Sequence, residues 1–150
     1  MKYSDLLTYV KAGLTGYGYG STNPDVGEQL RTMPVFNPGP ATSPSLAKLS
    51  SGSTVFLTLG NGAGLSTEQL FDRPFIAVRA IGPQNDYNKA EKLAYDIDRL
   101  LLKVGSNTTI GSAKVLYITR TGGSPQLIDF DSANRHHFLT TYITEAQTGY

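Results

Sequence analysis

The clearest pattern in the chain is a regular spacing of apolar residues between residues 87 and 104. They recur every three or four positions, as on one face of an α-helix, and they are Tyr87, Ala90, Leu93, Ala94, Ile97, Leu100, Leu101 and Val104. Asp86 or Asn85 suits the N-cap, because its side chain can accept from free backbone N–H groups. Gly105 can close the helix in a left-handed conformation. The spacing therefore predicts a long amphipathic helix with one buried face.

The other side of this predicted helix carries charged residues: Lys89, Lys92, Asp96, Arg99 and Lys103. Lys92 and Asp96 are four residues apart, a spacing at which helical side chains form ion pairs. Asp96 and Asp98 lie about 200° apart around the helix axis, so they do not form a pair of catalytic carboxylates. We expect both carboxylates to be solvated.

Four segments have the alternation and the β-branched and aromatic residues of β-strands; they are residues 54–59, 75–81, 115–120 and 135–145. With one helix before them and the long helix between the second and third, the predicted order is α-β-β-α-β-β. This order is typical of an α+β domain. Two helices pack on one face of a mostly antiparallel, or mixed, sheet of four or more strands in such a domain.

The first helix is predicted over residues 4–12, where Ser4 or Asp5 caps its start and Gly13 ends it. The length of 150 residues favours a single domain that spans the whole chain. Glycine and proline are frequent, with 16 and 8 residues, and they predict long loops. The longest of these loops covers about residues 15–53.

Composition narrows the possible functions without naming one. The chain has no cysteine, which excludes disulfides and a thiolate nucleophile. It contains no run of about 18 apolar residues, so we expect no membrane-spanning helix. Thirteen basic residues against twelve acidic ones give a net charge of +1. We see neither a basic excess nor a clustered basic stripe, and we therefore expect no strong non-specific binding of DNA.

Two motifs resemble a metal site and a nucleotide-binding loop, but neither has the arrangement that such a site needs. Asp129, Asp131, His136 and His137 form the pattern D-x-D-x4-H-H. However, adjacent residues of a strand point to opposite faces, and the two histidines cannot easily share one metal ion. Residues 60–64 read G-N-G-A-G after a strand, which departs from the G-x-G-x-x-G pattern of dinucleotide-binding loops. We therefore expect no metal, no cofactor and no catalytic residues.

Two arginines occupy unusual positions. Arg79 lies in the otherwise apolar segment PFIAVRAI, and Arg135 opens the last predicted strand shortly after Asp131. A charge in such a strand needs a partner or an exposed sheet face. Two explanations stay open for both arginines: an ion pair within the subunit, or an ion pair across a subunit boundary.

The same region resembles the tail terminator and minor tail-completion proteins of tailed bacteriophages. The resemblance rests on a strand that carries Arg79, a turn with the dipeptide D-Y, and the helical pattern A-x2-L-A-x2-I-D at residues 90–98. It continues through the sequence RTGG at residues 120–123 to a closing strand. It covers about residues 54–145, whereas residues 17–53 match nothing in that family.

Proteins of that family have helices on one face of a sheet and assemble as a hexameric ring on the head-proximal end of the tail tube. There they stop tube polymerisation and provide the surface to which the neck of the head docks; they are not enzymes. The resemblance implies a homo-oligomeric ring, expected to be a hexamer, with the tail tube protein and a neck or head-completion protein as partners. Duplex DNA would pass through the lumen without specific binding, and no membrane would be involved. The protein would reside at the head–tail junction of the virion after assembly in the host cytoplasm.

Under this interpretation, the contacts with neighbouring subunits and with the tube would use Arg79, Arg135, Asp131, Tyr17, Tyr19 and Asn61. Three alternatives stay open. The first is a stopper or connector protein of the same head–tail junction. The second is a small-ligand or nucleotide-binding domain that uses the glycine loop at residues 60–64, and the third is a hydrolase that uses His136 or His137.

Overall fold

A computed structural model describes residues 1–17, 19, 53–60, 71–105, 108–130 and 134–147 of the chain. Two helices lie in these ranges, α1 at Tyr3–Gly16 and α2 at Tyr87–Leu102. The β-segments in the same ranges are β1 at Thr54–Gly60, β2 at Phe71–Asp72, β3 at Phe75–Ile81, β4 at Thr108–Ile110, β5 at Ala113–Arg120, β6 at Gln126–Phe130 and β7 at His136–Gln147. The described part of the chain is therefore an α+β fold, as predicted.

All of these β-segments belong to one antiparallel sheet with the order β1-β3-β7-β5-β4. Along the central strand β7, β3 and then β2 pair on one side, and β6 and then β5 pair on the other. The short segments β2 and β6 thus continue β3 and β5, so the sheet has five strand positions. Because α1 contacts both β1 and β4, which end the strand order, the sheet is curled around this helix.

The observed order of elements contains more strands than the predicted one. The four predicted strands are present as β1, β3, β5 and β7. The pattern does not predict β2 and β4, which have two and three residues and are too short for alternation to be recognised. It does not predict β6 either, because a register shift between Leu127 and Asp129 interrupts the alternation there.

Helix α1 is longer than predicted, and Gly13 does not end it. The helix continues to Gly16, and its N-cap is Lys2, which makes no side-chain capping bond, so the capping role predicted for Ser4 or Asp5 is wrong. A Cβ atom at Gly13 would lie 2.9 Å from Cγ of Leu100 in α2. The glycine therefore allows the two helices to approach closely. Most of the predicted long loop, residues 18 and 20–52, lies outside the described residues.

Helix α2 begins as predicted and ends earlier. The Asp86 side chain accepts from the backbone N–H of Lys89 at 3.0 Å, which confirms it as the N-cap. The helix ends at Leu102, and Gly105 does not adopt the left-handed conformation, since Gly111 is the one glycine with a positive φ among the described residues. Neither α1 nor α2 is long and apolar enough to cross a membrane.

The two faces of the sheet differ in burial. On the inner face, Ile76, Val78 and Ala80 of β3 and the facing residues of β7 are buried in one core with both helices. On the outer face, Phe75 of β3 and its partner Ile143 of β7 are partly exposed. Strand alternation assigns each side chain of β3 and β7 to one of these faces. The predicted apolar face of α2 is buried in the core, apart from Tyr87, which is exposed.

Candidate functional site

Arg79, a predicted interface residue, has partners within the subunit. It lies on the outer face of β3, where its Nε–H donates to Nδ1 of His137 at 3.1 Å. Its guanidinium also lies 3.8 Å from a carboxylate oxygen of Asp129 in β6. Because Nδ1 accepts a hydrogen bond, this geometry assigns the proton of a neutral histidine to Nε2. The ion pair within the subunit is therefore present, and an additional contact across a subunit boundary stays a prediction.

Arg135, the second predicted interface arginine, is 2% exposed and is among the largest fully buried side chains of the described residues. It has an interaction partner within the chain. A buried guanidinium is tolerated only when internal partners compensate its lost hydration. Burial therefore favours a structural role for Arg135 over contact with a neighbour. The other charged and polar candidates, Asp131 and Asn61, lie outside the described residues.

Tyr17 and Tyr19, the remaining predicted interface residues, pack against α2. The Tyr19 hydroxyl donates to Oδ2 of Asp96 at 2.9 Å, and Lys92 donates to the same oxygen at 2.7 Å. The ammonium groups of Lys92 and Lys103 lie 5.1 Å and 5.4 Å from the ring centroids of Tyr19 and Tyr17. The predicted Lys92–Asp96 ion pair is thus confirmed. Asp96 is nevertheless buried, so the expectation that it is solvated is wrong.

A buried polar cluster surrounds Asp98, and the sequence pattern does not predict it. Asp98 in α2 is 2% exposed, and both of its oxygens accept from the guanidinium of Arg120 in β5, with Nε at 2.9 Å from Oδ1. The hydroxyl of Tyr142 in β7 donates to the same Oδ1 at 2.8 Å. The expectation of a solvated Asp98 is wrong. Its position, four residues after Ala94 and three before Leu101, is on the buried face of the helix.

We expect this cluster to make the fold sensitive to alkaline pH. Burial, and then the hydrogen bond to Asp98, raises the pKa of Tyr142 well above its ordinary value of 10.0. The hydroxyl ionises near pH 10 in the unfolded chain, whereas the fold retains the proton. The stabilisation is therefore complete below pH 10 and is lost as the pH rises further. Above pH 10 the free energy of unfolding should fall by up to about 1.4 kcal/mol per pH unit through this group.

Urea denaturation of the wild type and of Tyr142→Phe, from about pH 8 to about pH 11, measures this effect. Lysines and other tyrosines titrate in both proteins, so the difference between the two slopes isolates Tyr142. Tyr87→Phe is the matched control, because the Tyr87 hydroxyl donates to Glu91 at the protein surface. The hydrogen bond to Glu91 also raises the pKa of Tyr87, but at a solvated position, so this variant should keep most of the slope of the wild type. Equal slopes for the wild type and Tyr142→Phe would contradict the prediction.

The two histidines lie on opposite faces of β7, as the alternation predicts. His137 is fully buried and faces Arg79. His136 contacts the rings of Tyr87 and Phe130 at centroid distances of 5.3 Å and 4.9 Å. No group of three or more potential metal ligands occurs within the described ranges. In the glycine loop, Gly60 ends β1, and residues 61–64 lie outside the described residues.

Exposed apolar side chains concentrate on β6. Leu127, Ile128 and Phe130 of this five-residue strand are 49%, 44% and 56% exposed. Within the described residues β6 pairs with β7 alone, so one side of it presents unpaired backbone N–H and C=O groups. We call this side of the strand the β6 edge. Edge strands of isolated subunits are usually protected by charges, prolines or a covering element. An exposed apolar edge is typical of a contact with another protein chain.

Helix α2 and its C-cap residue, Lys103, present a row of cations to the solvent. Lys89, Lys92, Arg99 and Lys103 are all exposed, and at about 100° per residue they fall within about 80° of arc. We call these four residues the α2 basic stripe. The expectation that the chain has no clustered basic stripe is therefore wrong. The net charge of +1 conceals the stripe, because acidic residues elsewhere in the chain offset it.

No protein-family model matches this chain, and no curated protein matches it either. Arg79 is paired within the subunit and Arg135 is buried, so among the described residues the β6 edge and the α2 basic stripe are the surfaces that we consider as contacts.

Proposed function

We propose that this chain is a structural subunit of a tailed-bacteriophage particle, and that it closes into a ring on the head-proximal end of the tail tube. There it acts as a tail terminator, which stops tube polymerisation and forms the surface that joins the neck of the head. The resemblance of residues 54–145 to that family motivates the assignment. The α+β fold is compatible with it, since two helices cover one face of the sheet and leave the other face partly exposed.

The observation that carries this proposal is the β6 edge. A closed ring needs a contact between two different surfaces of neighbouring subunits. An unpaired strand can accept a further strand from another chain through backbone hydrogen bonds, and the side chains on its two faces add specificity. Leu127 and Phe130, which are about half exposed, would be buried in such a contact. The burial of large apolar side chains stabilises an association.

The β6 edge replaces the arginines as the candidate contact between subunits. Arg79 is paired with His137 and Asp129, and Arg135 is buried. Changing either arginine would disturb the subunit itself, so such variants cannot separate assembly from folding. Changes on the exposed side of β6 leave the core and the internal ion pairs in place.

The double variant Leu127→Lys with Phe130→Lys tests the proposal. Both positions are exposed, so the subunit should fold, whereas two ammonium groups on the strand should oppose pairing with a neighbouring chain. By mass photometry and electron microscopy, we expect the wild type to form a ring whose central hole admits duplex DNA. We expect the double variant to be monomeric, with the circular dichroism of the wild type.

The matched control carries Thr109→Lys and Thr119→Lys, two exposed positions on β4 and β5, and it should assemble like the wild type. A wild type that stays monomeric at all concentrations would contradict the ring. A ring formed by the double variant would contradict the role of the β6 edge in assembly, but it would not contradict the ring. Addition of the purified protein to growing tail tubes separates the alternatives, because a terminator fixes tube length and a stopper or connector does not.

A further inference from the structure

The α2 basic stripe is an extended, regular surface. The first and last of its four cations, Lys89 and Lys103, are 14 positions apart, which corresponds to about 21 Å along a helix. The side chains of Lys89 and Lys92 are 69% and 62% exposed, and Arg99 and Lys103 are exposed as well. A helix whose buried side is fixed in the core holds these charges in a set order.

Most of the positive charge of the stripe is not neutralised within the subunit. Lys92 is bound to Asp96 at 2.7 Å. The ammonium of Lys89 lies 3.8 Å from a carboxylate oxygen of Asp86, at the limit of an ion pair in a solvated position. In the part of the chain that the structure describes, no carboxylate forms an ion pair with Arg99 or Lys103. Three cations, Lys89, Arg99 and Lys103, are therefore available to an anionic partner.

Tyrosine side chains lie beside these cations. Lys103 donates to the hydroxyl of Tyr17 at 3.1 Å and lies over its ring, and Lys92 lies over the ring of Tyr19. Tyr9 belongs to the same group. Burial, and then the neighbouring Tyr17, raises the pKa of Tyr9, and Lys103 opposes this shift. Lysine, arginine and tyrosine side chains are among the groups with which proteins contact phosphate and sugar.

We infer that the α2 basic stripe binds the phosphate backbone of duplex DNA without reading its sequence. Charge complementarity selects this partner, because duplex DNA carries about one negative charge per 1.7 Å of its axis. A row of cations about 21 Å long can therefore meet several phosphates at once. The location of the contact, in the lumen of a ring, rests on the proposed function. The binding itself does not require a ring.

A small number of phosphate contacts suits DNA that has to move past the protein. Contacts of this kind are sequence-independent, and they allow a protein and DNA to slide along one another. Three contacts per subunit predict a slope of about −2.7 in a plot of log affinity against log salt concentration. This corresponds to about a 40-fold loss of affinity between 50 mM and 200 mM salt.

Fluorescence anisotropy of a labelled 20-base-pair duplex with the full chain tests the inference. Arg99→Glu with Lys103→Glu should lower the affinity at about 50 mM salt by at least tenfold and make the salt slope shallower by about two. The matched control, Lys2→Glu with Lys114→Glu, makes the same change in net charge at two exposed positions outside α2. It should retain most of the affinity and the slope of the wild type.

Two results would overturn the inference. One is an equal loss of affinity in both double variants, because net charge and not the stripe would then decide binding. The other is a wild type that does not bind the duplex; if it binds phosphatidylserine vesicles instead, the stripe is assigned to a membrane surface. Binding of the duplex by a chain that forms no ring would support the stripe and contradict the proposed function. A ring that does not bind the duplex would support the proposed function and contradict DNA binding by the stripe.

Discussion

Replacing Asp98 with alanine is expected to lower the free energy of unfolding by about 3 kcal/mol. The variant removes the carboxylate that receives both the guanidinium of Arg120 and the hydroxyl of Tyr142. Breaking a buried ion pair by removing one partner costs about 3–5 kcal/mol, because the other partner stays buried without compensation. Here the expected loss lies at the lower end of this range, since the Arg120 side chain is 32% exposed and can turn partly to water.

Chemical denaturation at neutral pH measures this loss, and thermal unfolding should show a decrease in Tm of about 6–12 °C. Asp129→Asn is the matched control, because it also removes a carboxylate that pairs with an arginine, but from a position with 42% of its side chain exposed. Its effect should be below about 1 kcal/mol. If Asp98→Ala costs no more than Asp129→Asn, the cluster does not stabilise the fold.

The Asp98 cluster also shows which part of a site a single sequence can predict. The position of Asp98 on the buried face of α2 follows from its spacing to Ala94 and Leu101, and the helical period was sufficient to recognise it. Its partners were not predictable, because Arg120 and Tyr142 lie on β5 and β7, which only the folded sheet brings next to α2. Asp96 lies on the same side of α2 as the exposed cations, and Tyr19, which no helical period predicts to lie there, contacts it.

The fold was predictable where local periodicity is strong. Helix α2 and the four longer strands have enough residues for a period to be recognised, and their type is right. The short segments β4 and β6 depend on pairing with β5 and β7, and no local pattern marks them. Gly13 illustrates the same limit, because a glycine that ends a helix and a glycine that admits a neighbouring helix look alike in the sequence.

Because the sequence pattern does not predict β6, it also does not predict the internal partner of Arg79. The partner of Arg79 on the outer face is Asp129, which lies in β6. When β6 is not predicted, the sequence pattern places no acidic residue next to Arg79 within the subunit. An ion pair with a neighbouring subunit is then one of the two explanations for this charge. The same strand carries the exposed apolar residues that now form the candidate contact. A charge in a strand can therefore find its partner in a short strand of the same subunit that local periodicity does not predict.

Gly82→Ala is expected to destabilise the fold by about 3 kcal/mol, through steric overlap and not through backbone strain. Gly82 follows β3, is buried, and donates its N–H to the carbonyl of His136 at 3.1 Å. A Cβ atom at this position would lie 2.8 Å from Cα and 2.9 Å from N of Ala90, in the first turn of α2. Backbone atoms cannot rotate away as a side chain can. The helix would have to move off the end of β3, at the upper end of the usual cost of overpacking.

Three alanine variants separate this cause from the general effect of losing a glycine. Gly122→Ala has no atom within 4 Å of the new Cβ, and its effect should stay within about 0.5 kcal/mol. Gly13→Ala meets the end of the Leu100 side chain, which can adopt another rotamer, and should cost about 1 kcal/mol. The predicted order of destabilisation is therefore Gly82, then Gly13, then Gly122. Urea denaturation measures the free energy of unfolding of each variant. A similar loss in all three would show that the close approach of α2 to β3 does not determine the cost of a side chain at position 82.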